Sequence, residues 1–501
     1  MSRKQSKILI IGIDGGDPDL IFSRYADVLP NINGIAGGGE HGILRSTIPS
    51  ATIPAWNSFY TGFNPGAHGL YDFTSPPDFN YSLRFLNSRD RNIPAFWARA
   101  SRRGKKCAVL NFPSCYPPEQ VNGVMISGFD CPLPSGGDRS FIYPMELYDE
   151  IIKHFGPYRI SGFDQIDLSD ENMRKASVSL LETAEYKGNV GEWLLTRQEW
   201  DLFMIHFGEV DAACHHFWRF CDVNSPRRIG NEGDKYKDTV KNVYGKIDEQ
   251  VGKLTERIDE SWAVILMSDH GFRGTGTNVL HINNLLRDAG LLKYRKSGFI
   301  DDKAIKYAAR LIPSHLRKYF FRGKLSELTN RIEGMRRFGN IDLSETMAFS
   351  EELNYFPSIR LNLKGKYRNG TIGHREKEKI LTRVIDILDN LQDQEDNPAI
   401  DRIYRREEIY SGKFTSQAPE IVFELNAPGG YTNGVLPSMI EGPALRKLET
   451  KEYPGGKGSF PCGGHRREGF YTAMNFGKIP FENNISDIFD LYPLIDYILR
   501  D

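Results

Sequence analysis

Seven residues of this sequence are of a type and spacing to do chemistry together: Asp14, Asp211, His215, Asp269, His270, His465 and the hydroxyl of Thr52. Carboxylates and imidazoles are ligands that suit zinc or manganese. In DAACHHFW, Asp211 and His215 stand four residues apart, so one helical turn can bring both to a single ion while His216 points elsewhere. In VILMSDHGF, Asp269 and His270 close an apolar run, where the chain must turn and both side chains can diverge into one cleft. In CGGHRREGF, two glycines ahead of His465 permit a tight loop and a close backbone approach. In STIPSATIPAWNSF, Pro54 near the start of a predicted helix leaves Thr52 at or just before the helix N-terminus, beside free N–H groups that favour a phosphate. Each feature alone has a plainer reading. Asp14 in GIDGGDPD could cap a turn, Thr52 could be an N-cap, and His465 could be a surface histidine.

The elements that would hold these residues are legible around them. The runs KILIIGIDGG, KKCAVLNFP, GVMISGFD, LFMIHFGEVD and AVILMSDHG are short, apolar and β-branched, as buried strands are. Helical patterns alternate with them, as in AFWARASRRGKK and from Tyr236 to Ile258, and that alternation predicts a layered α/β fold. In open sheets of this kind the chemistry gathers at the carboxyl ends of strands, which is where Asp14, Asp211 and Asp269 fall. We expect residues 1–290 to form a catalytic core, with a Pro-, Gly- and aromatic-rich cap at about 76–190 (SPPDFNYSL, NFPSCYPPEQ, CPLPSGGDRS). Residues 346–501 are expected to return to that core with His465. Between them, 291–345 reads as a basic helical insertion: from Leu292 to Asn340 there are 13 Lys/Arg against 4 Asp/Glu. That excess suits a solvated helical surface, or one that meets an anionic substrate or a membrane.

The bulk properties exclude several classes. With 501 residues the chain exceeds a single small core, and with 64 Lys+Arg against 65 Asp+Glu its overall charge points to no nucleic-acid partner. The apolar start runs directly into Asp14 and two glycines, so it reads as a first strand, and no run reaches the roughly 18–20 apolar residues that cross a bilayer. Six cysteines without CxxC pairing suggest neither a zinc ribbon nor a disulfide framework, which fits a cytoplasmic protein.

Taken in order, these motifs resemble the alkaline phosphatase superfamily, in particular its type I phosphodiesterase and nucleotide pyrophosphatase branch. ATIPAWNSFYTGFNPGAHGLYDF, NFPSCYPPEQVNGVMISGF and IRLNLKGK with APEIVFE are similar to a bacterial and archaeal phosphohydrolase/phosphomutase group within it. The resemblance implies an α/β/α alkaline-phosphatase-like core and two divalent ions, zinc or alternatively manganese. One would be shared by Asp14, Thr52, Asp269 and His270, the other by Asp211, His215 and His465. It implies a phospho-threonine intermediate on Thr52 during cleavage of a phosphodiester, pyrophosphate or phosphomonoester, in a phosphorylated small-molecule or lipid substrate. Nucleotide pyrophosphatases carry T-F-P-N at the nucleophile and a further Asn after the following HG segment; here Ala55 and GLYDF supply neither. Asn57 or backbone N–H groups are then the candidate donors to the phosphoryl oxygens. A sulfatase would need Cys or Ser in a C/S-x-P-x-R context, which TIPAW lacks. A phosphomutase would use Ser in place of Thr52, and a binding protein of the same fold would lack turnover.

Overall fold

In the computed structural model of the chain, residues 6–131, 139–160, 168–230, 234–296, 333–456, 460–477 and 485–500 are described. They divide into two compact units.

The first unit comprises 1–68, 87–274 and 454–501. Its eight-stranded sheet has the order β2-β16-β7-β1-β6-β3-β4-β5. These strands are β1 (Lys7–Ile13), β2 (Glu40–Arg45), β3 (Cys107–Leu110), β4 (Gly123–Ile126), β5 (Ile142–Tyr143), β6 (Leu202–Phe207), β7 (Trp262–Met267) and, late in the chain, β16 (Glu468–Met474). The five central strands, β7, β1, β6, β3 and β4, are mutually parallel, and β16 and β5 join antiparallel on either side. Parallel strands covered on both faces need continuous apolar runs, and β6 and β7 are buried along their whole length. Alternation along β1 sends Leu9, Ile11 and Ile13 into one hydrophobic cluster and Ile8 and Ile10 into another. The first cluster is closed by α1 (Pro30–Gly37), α6 (Asp170–Leu195), α7 (Glu209–Cys221) and α8 (Thr239–Thr255), through Ile32, Leu180, Phe217 and Ile247. The second is closed by α2 (Thr52–Thr61), α4 (Phe96–Arg102) and the helix Leu491–Leu499, through Trp56, Phe59, Trp97 and Leu494. The short helices α3 (Pro65–His68) and α5 (Leu147–Phe155) complete this part of the chain. The result is the α/β/α layering the sequence predicts.

The second unit comprises 69–86 and 275–453. The chain enters it along β8 (Gly271–Leu280), followed by α9 (Ile282–Asp288) and the strands β9 (Ala348–Phe349), β10 (Ser358–Leu361), β11 (Ile400–Arg405), β12 (Ile421–Leu425), β13 (Thr432–Val435) and β14 (Leu445–Lys447). It has its own core, in which Leu286, Phe349, Ile359, Leu361, Val384 and Phe423 meet.

Two boundaries therefore differ from those read in the sequence. Most of the expected cap at 76–190 is core: β3 and β4 are interior parallel strands, and α6 lies under the sheet. The prolines and glycines there mark turns between buried elements. The expected return of 346–501 to the core holds only from residue 454 onward, because 346–453 buries its apolar residues in the second cluster. The basic insertion falls largely on 297–332, including Lys303, Lys306 and Arg310, which lie outside the described residues. No helix among the described residues is long and apolar enough to cross a membrane.

Candidate metal centre

Asp14 follows β1 directly, at the carboxyl edge of the sheet. Its Oδ2 accepts from Trp56 Nε1 at 3.3 Å and stands 3.1 Å from His206 Nε2 on β6. Trp56 reaches this position because Gly12 has no side chain; a Cβ there would lie 2.6 Å from the indole. Asp14 Oδ1, by contrast, has no hydrogen-bond partner and lies 3.5 Å from His270 Nε2. Asp269, two residues past β7, is arranged the same way. Its Oδ1 accepts the Gly15 N–H at 3.1 Å, while its Oδ2 has no partner and lies 3.3 Å from His270 Nε2. All three side chains are buried.

A half-buried group faces them. Asp211 and His215 lie one turn apart on α7, and His465 lies on β15 (Gly463–Arg466), which pairs antiparallel with the first residues of β8. Asp211 Oδ1 is 3.3 Å from the Nε2 of each histidine, and the two Nε2 atoms are 2.9 Å apart. The rings of His270 and His465 stack at 3.6 Å, 19° from parallel. Ligand atoms of Asp211, His270 and His465, and again of Asp14, Asp269 and His270, fall within 4.8 Å of one another. His270 thus stands within reach of both groups, where the sequence assigned it to one.

Carbonyl oxygens fix the histidine tautomers. His215 Nδ1 donates to Gly463 O at 2.9 Å, His465 Nδ1 to Ser50 O at 2.7 Å, and His270 Nδ1 to Gly271 O at 3.2 Å. A carbonyl only accepts, so each Nδ1 carries a proton and each ring turns its Nε2 inward. This is the outer-shell arrangement of metal-binding histidines. Burial, reinforced by His465, holds the His270 pKa well below its usual value, so that ring is neutral. Burial and the charge of Asp14 push the Asp269 carboxyl well above the usual carboxylate range. Burial opposes the charged forms of Asp211 and His215 as well, but their mutual attraction wins, so Asp211 is held low and His215 is raised. Carboxylates that repel and ring nitrogens crowded to 2.9 Å are what a bound cation relieves. The unpartnered atoms Asp14 Oδ1, Asp269 Oδ2, Asp211 Oδ1 and His270 Nε2 fit such ions in both charge and ligand type.

Thr52 is the first residue of α2, with Ala51 as the cap and no capping hydrogen bond from a side chain, so the N-cap reading of Thr52 does not hold. It is buried, two residues from the Ser50 carbonyl that holds His465. Helix geometry leaves the N–H groups of Thr52 and Ile53 without intrahelical partners. Asn57, fully buried, donates to Ile53 O at 2.8 Å and accepts from Arg91 at 3.4 Å. The glycines before His465 serve close approach and not a loop: a Cβ on Gly463 would lie 2.2 Å from Cys214 O of α7. His206, Trp56, Asp17 and Arg466 were not singled out in the sequence. His206 leaves a trace there, as the one imidazole inside the apolar run LFMIHF.

Residues 8–433 match the profile of the type I phosphodiesterase/nucleotide pyrophosphatase family. The chain belongs to this family. Phosphoester hydrolysis is the chemistry that membership assigns, and divalent metals are what the family's members use. Among solved structures, phosphonoacetate hydrolase from Sinorhizobium meliloti 1021 in complex with phosphonoformate is similar with a TM-score of 0.51 at 13% identity, over 99% of this chain and 96% of that one. An inactive threonine-to-alanine variant of murine ectonucleotide pyrophosphatase/phosphodiesterase 5, in complex with AMP, is similar with a TM-score of 0.50 at 12% identity, over 99% and 95%. At these identities the likeness is one of fold. No curated protein matches the chain.

Proposed function

We propose that this phosphodiesterase-family protein is a two-metal phosphohydrolase in which Thr52 is the nucleophile. Asp14, Thr52, Asp269 and His270 would hold one divalent ion, and Asp211, His215 and His465 the other, with zinc the expected metal and manganese an alternative. The observation that carries this reading is the convergence of four buried, unpartnered ligand atoms on Asp14, Asp211, Asp269 and His270. Bound ions supply Lewis-acid stabilisation of the charge on the attacking and leaving oxygens.

The chain's own residues do the rest. Thr52 Oγ1 gives up its proton to solvent and attacks phosphorus as the bond to the leaving alkoxide or phosphate breaks; water then cleaves the phospho-threonine, which restores the hydroxyl and releases the phosphoryl group. The N–H groups of the first turn of α2 would donate to the phosphoryl oxygens, favoured in that role by the helix dipole. They are better placed for this than Asn57, whose amide is engaged with Ile53 O. The half-buried side of the centre, at Asp211, His215 and His465, gives a phosphorylated small molecule or lipid its way in. All six cysteines are buried and none is in a disulfide, and the cytoplasm is the proposed location.

The test is a hydrolysis screen of purified, metal-loaded protein on phosphomonoester, phosphodiester and pyrophosphate substrates. Turnover of at least one class, lost on chelation and restored by zinc or manganese, is expected. No turnover of any class by protein that retains its metal would overturn the reading.

A further inference from the structure

We infer that Asp17 is a positioning residue, which holds three ligand-bearing segments of the metal centre in register through one carboxylate, with Arg466 as its cationic partner. The inference rests on the two-metal reading above. Asp17 is 2% exposed. Its Oδ2 accepts from Arg466 Nε at 2.7 Å and from the Phe272 N–H at 3.0 Å. Its Oδ1 accepts from the N–H groups of Asp19 at 3.0 Å and Leu20 at 3.3 Å, and its own N–H donates to the Tyr244 hydroxyl at 2.9 Å. The Arg466 and Phe272 bonds reach two ligand-bearing segments, and the Asp19 and Leu20 bonds fix the carboxylate within a third, its own. Asp14 lies three residues before Asp17, the pair Asp269–His270 ends two residues before Phe272, and His465 immediately precedes Arg466.

The approach of β8 is shaped to this carboxylate. A Cβ on Gly271 would lie 3.0 Å from Asp17 Oδ2 and 2.0 Å from Glu468 O, so only glycine lets the strand come in so close. Arg466 is braced a second time, Nη2 donating to Asp19 Oδ2 at 2.7 Å. A carboxylate is the one side chain of this size that accepts on both oxygens. An asparagine would turn an NH₂ toward donors on one edge, either Arg466 and Phe272 or Asp19 and Leu20. The segments carrying His465, Asp269–His270 and Asp14 would then shift relative to one another, with no ligand replaced. Outer-shell changes of this kind cost about 10–100-fold in metal affinity.

The experiment titrates cobalt(II) into metal-free wild type, Asp17→Asn and Arg466→Gln, measuring affinity by competition with a chelator and visible absorption at saturation, which reports ligand geometry. Far-ultraviolet circular dichroism checks that each is folded. Asp17→Asn is expected to bind about 10–100-fold more weakly and to give an altered spectrum even when saturated, a change that lowered global stability alone would not produce. Arg466→Gln should move both readouts in the same direction by less. Affinity within about twofold of wild type with an unchanged spectrum in Asp17→Asn would overturn the inference while leaving the two-metal reading intact. If Asp17→Asn does not fold, the same result in Arg466→Gln, which keeps the three backbone donors, overturns it. A wild type that binds no cobalt defeats the two-metal reading and this inference together.

Discussion

Replacing Gly463 by alanine adds one methyl group at the point where β15 leans on α7, and the structure fixes the consequence. The new Cβ would lie 2.2 Å from Cys214 O, 2.9 Å from Cys214 C and 3.2 Å from Trp218 Cβ. A carbon normally approaches a carbonyl oxygen to about 3.3 Å. Relief thus requires the strand and helix to part by about 1.1 Å, the difference between 3.3 and 2.2 Å. The two nearest atoms are backbone atoms of Cys214, and the Gly463 carbonyl also accepts from His215, so no flexible side chain can absorb the closest overlap. Overpacking of this sort costs about 1–3 kcal/mol. The larger effect falls on the site, because β15 carries His465 and α7 carries Asp211 and His215, whose ligand atoms stand within 3.3 Å of one another. Metal coordination tolerates about 0.2 Å. The Gly463→Ala protein should therefore stay folded, lose the ion held by Asp211, His215 and His465, and lose turnover by on the order of 10²-fold. Metal analysis together with urea denaturation checks this. Wild-type metal content at wild-type affinity would refute the claim that β15 and α7 are set against each other by that contact.

Thr52→Ala should keep the fold and most of the metal yet lose turnover by on the order of 10³-fold or more, whereas Thr52→Ser should retain part of it, since serine restores the oxygen and loses only the methyl group that restricts χ1. Near wild-type hydrolysis by the alanine variant would replace the covalent step with direct attack by water. His68, buried and 3.0 Å from Ser58 Oγ, has its pKa lowered by burial, and secondarily by Arg91, from 6.5 to about 3. The unfolded chain takes up that proton first as pH falls, so stability should decline from about pH 6.5 toward pH 3 by up to about 1.4 kcal/mol per unit. His68→Gln should show a shallower decline in denaturation midpoint; an identical slope in both proteins would contradict the assignment. If the basic segment guides an anionic substrate, changing Lys303, Lys306 and Arg310 to Glu should raise KM and weaken the salt dependence of kcat/KM, and unchanged kinetics at low salt would mark it as an ordinary solvated surface.

The sequence carried the parts of this structure that follow short-range rules. β1, β3, β4, β6 and β7 announce themselves as apolar runs, and the i, i+4 spacing of Asp211 and His215 is enough to set both on one face of α7. What it concealed depends on distant segments meeting. His206 approaches Asp14 across neighbouring strands, and Trp56 reaches the same carboxylate through the gap at Gly12, contacts that span 192 and 42 residues of chain. Asp17 and Arg466 are 449 residues apart. The proline- and glycine-rich stretch after residue 86 reads as loop because composition registers its turns. The two strands between them are legible, each four residues long, but their pairing beside β6 inside the main sheet is not. Likewise 346–453 has ordinary core composition, and only its contacts reveal that it buries its side chains in a separate cluster.

The central claim is that two ions are held by two distinct ligand groups around Thr52. Metal content per chain, measured after purification without chelators on wild type and on Asp211→Asn side by side, tests it most directly. The account predicts two divalent ions in the wild type and one in the variant, with the ion at Asp14, Asp269 and His270 retained. A wild type that neither carries nor takes up zinc or manganese, or a variant that keeps both ions at wild-type affinity, would contradict it.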